Sequence, residues 1–141
     1  MQTFLPVPSF RQSAAILDYR RLGQQRREVV QILRAIHGET KGYANHPATK
    51  MWSKNVNALV RYGEAICREW VSRGYQDKQL GVILSYFDSD KSVDMPDWFG
   101  NNDFHAAHRS NLLRKKPEYY SNFNWSEPND LPYHWSLPSP L

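Results

Sequence analysis

One cysteine, Cys67, stands in 141 residues. That excludes an internal disulfide framework and fits a reducing compartment, with Cys67 read as a small core residue. No apolar stretch approaches the roughly 20 residues that a bilayer-crossing helix needs. The opening MQTFLPVPSF lacks the basic region and apolar run of a signal peptide. A cytoplasmic, soluble protein without membrane association is the expectation. There is no HExxH-type motif and no cysteine to complete a metal set with the histidines, so neither metal nor organic cofactor is expected. No internal repeat or second domain is visible, which predicts one domain over residues 1–141. What is present argues for a folded chain, since 40% of residues are hydrophobic and 13% aromatic. The net charge of +4 points toward a polyanionic partner. No obligate protein partner is implied.

The periodicity predicts an all-α, compact single domain of about three main helices, with long loops and an aromatic, proline-rich C-terminal tail. Met1–Pro8 is apolar and proline-punctuated, so it should be extended and packed down. Ser9 suits a first cap, and helical pattern then runs to Gly38, with Gly23 as the place for a kink. Pro47 suits the first turn of a second helix reaching Arg73. On it Trp52, Val56, Leu59, Gly63, Ile66 and Trp70 alternate by four and three, and Gly63 on that seam predicts close passage of another helix. LGVILSYF fits either a helical turn or a short strand, and DSDKSVDMPDWFGNN is loop. Asp103 is the expected cap of a third helix through Lys115, closed by Pro117. The tail from Pro117 onward cannot be regular helix and should wrap over the others.

The most informative stretch is DYRRLGQQRREVVQILRAI, Asp18–Ile36. Leu22, Val29, Ile32, Leu33 and Ile36 form its apolar stripe. Asp18, Arg21, Gln25 and Glu28 fall on the same side, within an arc of roughly 80° on ideal helix geometry. Two acids, an arginine and an amide turned toward a core must satisfy one another or serve a site. Both a structural ion network and a functional cluster fit that pattern. Arg20, Arg27 and Arg34, spaced by seven, make a basic stripe on the opposite face of the helix, which fits a solvated face or a polyanion contact. Further on, His105, His108 and Arg109 share one helix. Such residues suit phosphate contact or hydrogen bonding within a core, and with His46 or His134 they lack the partners of a metal site. Arg114 and Lys115 end that helix beside aromatics, a combination that suits nucleic acid and equally a helix C-terminus.

Several of these residues occur in an order that resembles the pyrimidine-dimer DNA glycosylase (endonuclease V-like) family, whose type member is a small all-helical bacteriophage enzyme. The matching pieces are Tyr19-Arg20-x-Leu22, then Leu59 to Tyr75 with Ile66-x-x-Glu69-x-x-x-Arg73-Gly74-Tyr75. Next come His105-x-x-x-x-Ser110-x-x-Leu113, Lys116-Pro117 and Tyr119-Tyr120. The opening MQTFLP, LDYRRLGQQR and HPATKMW are similar to a bacterial branch of the same family. The resemblance implies a DNA repair enzyme whose N-terminal α-amine attacks the sugar carbon of a damaged nucleotide, forming a Schiff base that can go on to strand cleavage. An α-amine titrates near 7.7–8.0, so it is nucleophilic near neutral pH. The resemblance also implies a helper glutamate and basic residues gripping a kinked duplex with a flipped nucleotide. Arg21 stands at the position of the family's glutamate. Gln2 is bulky enough to leave the initiator in place. The expected site is therefore Met1 as nucleophile and Asp18 as acid–base helper, with Arg21 and Gln25 beside them. DNA contacts are expected from Arg20, Arg27, His46, His105, His108, Arg109, Arg114 and Lys115. Duplex DNA with a damaged or modified pyrimidine is the expected partner. The alternatives are a non-catalytic nucleic-acid-binding module, or an enzyme of free nucleotides.

Overall fold

Helices carry the whole architecture of the computed structural model over the described residues, 1–135, and no strand occurs among them. In chain order they are α1 (Phe10–Ile16), α2 (Tyr19–Ile36), α3 (Pro47–Trp52), α4 (Val56–Ser72), α5 (Leu80–Leu84), α6 (Asn102–Lys115) and α7 (Pro117–Tyr120). A 3-10 turn, Ser121–Phe123, follows. The all-α class holds, and α2, α4 and α6 are the three long helices. One buried apolar cluster joins residues from Phe4 to Tyr120 across all of these elements except the last turn.

Two expected long helices are each divided. The first breaks at Leu17, whose backbone is extended, and not at Gly23. The break is tolerated because other side chains take up the freed carbonyls at the end of α1. Arg73 Nη2 donates to Ala14 O at 3.3 Å and to Ala15 O at 3.1 Å, and Tyr119 donates to Ile16 O at 3.1 Å. The second divides at residues 53–55 into α3 and α4. There Ser53 Oγ donates to Lys50 O, and Asn55 Nδ2 reaches out to Asp94 O. LGVILSYF resolves as helix, giving α5. Asn101, and not Asp103, caps α6: its Oδ1 accepts from the amides of Asp103 and Phe104. Pro117 opens the short α7 after a break at Lys116.

Glycine sets the distance between α2 and α4. Gly23 runs mid-helix without a kink because the Trp70 ring lies against it; a Cβ there would stand 2.8 Å from Trp70 Cη2. Gly63 is the reciprocal position on α4, where a Cβ would stand 2.8 Å from Val29 Cγ1 and 3.0 Å from Ile83 Cγ2. The close approach expected at Gly63 is thus made by α2 and α5. The tail does return over the helices. Leu131 N donates to Ser110 Oγ, Arg114 donates to Asn129 O and Leu131 O, and Trp125 stacks on Tyr120. Residues 136–141 of the tail lie outside the described residues. No described helix is long and apolar enough to cross a membrane.

Gly63→Ala should cost about 1–3 kcal/mol through overpacking. Gly81→Ala in α5, where nothing lies within 4 Å of the added carbon, should gain about 0.5–1 kcal/mol from helix propensity. Urea unfolding of the two variants checks both signs; equal effects would refute the packing account.

Candidate active site

The first residues of the chain form an extended segment buried beneath the helices. Gln2, Thr3, Phe4 and Leu5 are each at most 5% exposed. An extended segment in a core needs partners for its amides and carbonyls, and here side chains supply them. The Phe4 N–H donates to Gln25 Oε1 at 3.1 Å, and Gln25 Nε2 donates to Gln2 O at 2.7 Å. The Tyr62 hydroxyl lies 2.8 Å from both Phe4 O and Gln25 Oε1. Leu5 is held on both sides: its N–H donates to His108 Nδ1 at 2.8 Å, and its carbonyl accepts from His105 Nδ1 at 2.7 Å. Arg109 Nη1 donates to Pro6 O, Trp52 Nε1 donates to Thr3 Oγ1, and Ser13 Oγ serves both polar groups of Val7. Helices α2, α3, α4 and α6 all contribute.

That path delivers Met1 to a cavity of about 400 Å³, within the range of ligand sites. Its walls include Met1, Arg21, Gln24, Gln25 and Glu28, together with His46, Lys115, Tyr133 and Trp135. Glu28 is the carboxylate on this wall. Burial raises its carboxyl above the ordinary value. The N-terminal charge, a backbone hydrogen bond from Gln2, the Gln25 amide and Lys115 pull the other way. Gln25 Nε2 donates to Glu28 Oε2 at 2.8 Å. His46, which caps α3, is held below its usual value by burial first and by the N-terminal charge second.

The expected site residues divide. Met1, Arg21, Gln25, His46 and Lys115 meet at the cavity. Asp18 does not line it. Its carboxylate is 2% exposed and accepts from the Tyr120 hydroxyl and from Arg21 Nη1 at 3.3 Å, while its own N–H donates to Tyr120. Asp18 thus fastens the start of α2 to α7, and the acid beside the amine is Glu28. Gln25 has all its bonding capacity committed to the N-terminal segment, Tyr62 and Glu28, leaving none to read a base. His105 and His108, 2% and 1% exposed, lie where no phosphate reaches. Both are neutral spacers on Leu5; burial lowers each, His108 to about 3. Arg109 is committed to Glu127 and Pro6, and Arg114 to the tail and Asn111. Arg20 and Arg27 lie exposed on α2 and, like Lys115, form no ion pair among the described residues. No described cluster of histidine, cysteine, aspartate or glutamate could hold a metal. Sequence reasoning placed Glu28 in the right arc without giving it a role; its seven-residue spacing from Arg21 was the available signal. Tyr62 had none, as a tyrosine on an apolar seam reads as packing.

Residues 1–80 match the family model described as pyrimidine dimer DNA glycosylase. The chain belongs to that family. The matched part contains the buried N-terminal segment, Arg21, Gln25, Glu28 and His46, whereas Lys115 and the aromatic tail lie beyond it. No curated protein and no solved structure matches the chain. As a pyrimidine dimer DNA glycosylase family member, it has DNA as its substrate class.

Gln25→Leu would strand the Phe4 N–H and the Gln2 carbonyl in the core, at about 1–3 kcal/mol for each unpaired group. The Phe4 amide should exchange hydrogen markedly faster than in the parent; unchanged protection would refute the clasp. Acid should destabilise the fold through His108. The native ring stays neutral down to about 3, while the unfolded ring protonates near 6.5. The unfolded state therefore binds more protons between those values. Stability is full above about 6.5 and falls toward pH 3, by up to about 1.4 kcal/mol per unit from this group. An NMR titration that protonates His108 near pH 6 would overturn it.

Proposed function

We propose that this chain is a base-excision DNA glycosylase in which the α-amine of Met1 attacks C1′ of a damaged or modified pyrimidine nucleotide. Abasic-site lyase activity follows from the same Schiff base. The observation that carries this reading is the shared cavity: Met1 and a partly desolvated carboxyl, Glu28, line one recess, close enough for the N-terminal charge to act on that carboxyl. An unprotonated α-amine is a competent nucleophile near neutral pH. A carboxyl raised by burial is better matched to exchanging protons at that pH than an ordinary glutamate. Glu28 lies two helical turns beyond Arg21, on the same face of α2, so it takes the helper role that Asp18 does not reach. Arg21 and Lys115 give the recess positive charge for a sugar–phosphate, and exposed Arg20 and Arg27 extend that charge along α2. Phosphate neutralisation by such residues makes affinity fall with salt, each contact adding about 0.9 to the log–log slope.

Borohydride should trap the protein covalently on duplex DNA bearing an abasic site, and reductive methylation of the N-terminus should abolish trapping. Glu28→Gln should slow trapping by about 10²–10⁴-fold, the usual worth of general acid–base help, with duplex affinity nearly intact. Asp18→Asn should cost stability and leave the trapping rate of the folded fraction close to the parent's. Tight, salt-sensitive binding with no trapping would indicate a nucleic-acid-binding module instead, and no binding at all would favour free nucleotides.

A further inference from the structure

His46 lines the cavity with one ring nitrogen committed to the backbone. Its Nδ1 accepts the Ala48 N–H at 3.0 Å, capping α3. In a neutral imidazole one nitrogen accepts and the other carries the proton, so that bond assigns the proton to Nε2. The ring plane is set by edge-to-face packing against Tyr43 and Trp135, with centroids 6.0 Å and 5.8 Å away. Burial and the N-terminal charge both favour the uncharged ring. The charged or titratable groups on the same walls are the Met1 amine, Arg21 and Glu28 of α2, Lys115 of α6 and Tyr133 of the tail. Among them His46 is the one uncharged nitrogen donor whose tautomer is dictated by a backbone bond.

We infer that His46 is a catalytic residue: its fixed Nε2–H donates a hydrogen bond to the sugar ring oxygen O4′ as the C1′–O4′ bond opens. This rests on the Met1 nucleophile reading above. When the amine bonds to C1′, the glycosidic bond breaks, and the electron pair leaves with the base, which takes a proton from solvent. The nitrogen then carries two protons and a positive charge. Its C=N bond forms as C1′–O4′ breaks; nitrogen loses one proton and O4′ gains one, with Glu28 placed to relay it. Negative charge builds on O4′ before that proton arrives. A neutral donor preoriented toward it stabilises that moment at no reorganisation cost. A histidine bound at Nδ1 as a helix cap cannot serve as the base at Nε2, because that nitrogen already holds a proton. It can only donate.

The cap itself offers the control. Asparagine and serine are strong N-caps, so His46→Asn and His46→Ser keep the bond to Ala48 N–H while removing the imidazole donor. Both should fold and bind abasic duplex like the parent, yet be trapped by borohydride about 10²-fold more slowly, the usual loss for one such donor. The slowing should appear on base-containing DNA and on the closed hemiacetal form that predominates at an abasic site, since the C1′–O4′ bond must open in both. Trapping at the parent rate overturns the inference while leaving the Met1 reading intact. Loss of folding or of duplex binding in both variants would make His46 a cap and nothing more. If the parent protein never traps, the nucleophile reading fails, and this inference falls with it.

Discussion

The fold depends on how a buried, extended N-terminal segment satisfies its backbone. In a sheet, neighbouring strands would take those amides and carbonyls; here Gln25, Tyr62, His105, His108 and Arg109 do so from three different helices. Each partner must sit at a fixed point along its helix, so the segment fixes the relative registers of α2, α4 and α6. It also explains why polar side chains recur in the interior of so small a protein. A buried amide or imidazole costs stability only when left unpaired, and these are paired to the very chain that runs between the helices. The glycines at the α2–α4 crossing act with it, bringing the two helices close at Trp70 and Val29.

A chain terminus ordinarily frays, because nothing follows it to hold it in place. Here the last anchored groups before Met1 are the Gln2 carbonyl on Gln25 and the buried Gln2 side chain. Only Met1, itself packed against the core, lies beyond them. For the proposed reaction this restriction matters more than any shift in basicity, since an attacking atom held near its target is spared much of the entropy of encounter. Gln25 links the two halves of that arrangement. One amide holds the segment that presents the amine, and its other hydrogen orients the Glu28 carboxyl.

Much of this was legible in the residues. The helical periods, the close approach at Gly63, the packed-down opening and the returning tail all follow from apolar spacing and from the placement of glycine and proline. Helix breaks were less legible. Leu17 and residues 53–55 interrupt patterns that remain periodic across them, and the interruptions are stabilised by Arg73, Tyr119 and the Asp94 carbonyl, which are distant partners that no local rule contains. The same limit applied to the site. Asp18 and Glu28 bound the same arc of α2, and helix geometry alone ranks neither above the other. Tyr120, more than a hundred residues away, decides it by claiming Asp18. His105, His108 and Arg109 share one helix in a pattern that suits phosphate, and only the hydrogen bonds they form with Leu5 and Pro6 reveal their structural task.

The position of Arg21 then has a physical explanation that requires no loss of chemistry. A carboxylate can serve an amine from any turn of α2 that faces it, and the residues at seven-position spacing share a face to within about 20°. Moving the acid two turns along, to Glu28, leaves Arg21 at the rim, where its guanidinium is half-neutralised by Asp18 and remains partly open to the cavity. A guanidinium at that point would attract a phosphate. In the proposed reaction that charge would anchor the sugar–phosphate backbone beside the nucleophile. Under the proposed reaction, Glu28 would keep a carboxyl on the amine's side of α2, with a cationic wall where the resemblance places the family's helper carboxylate.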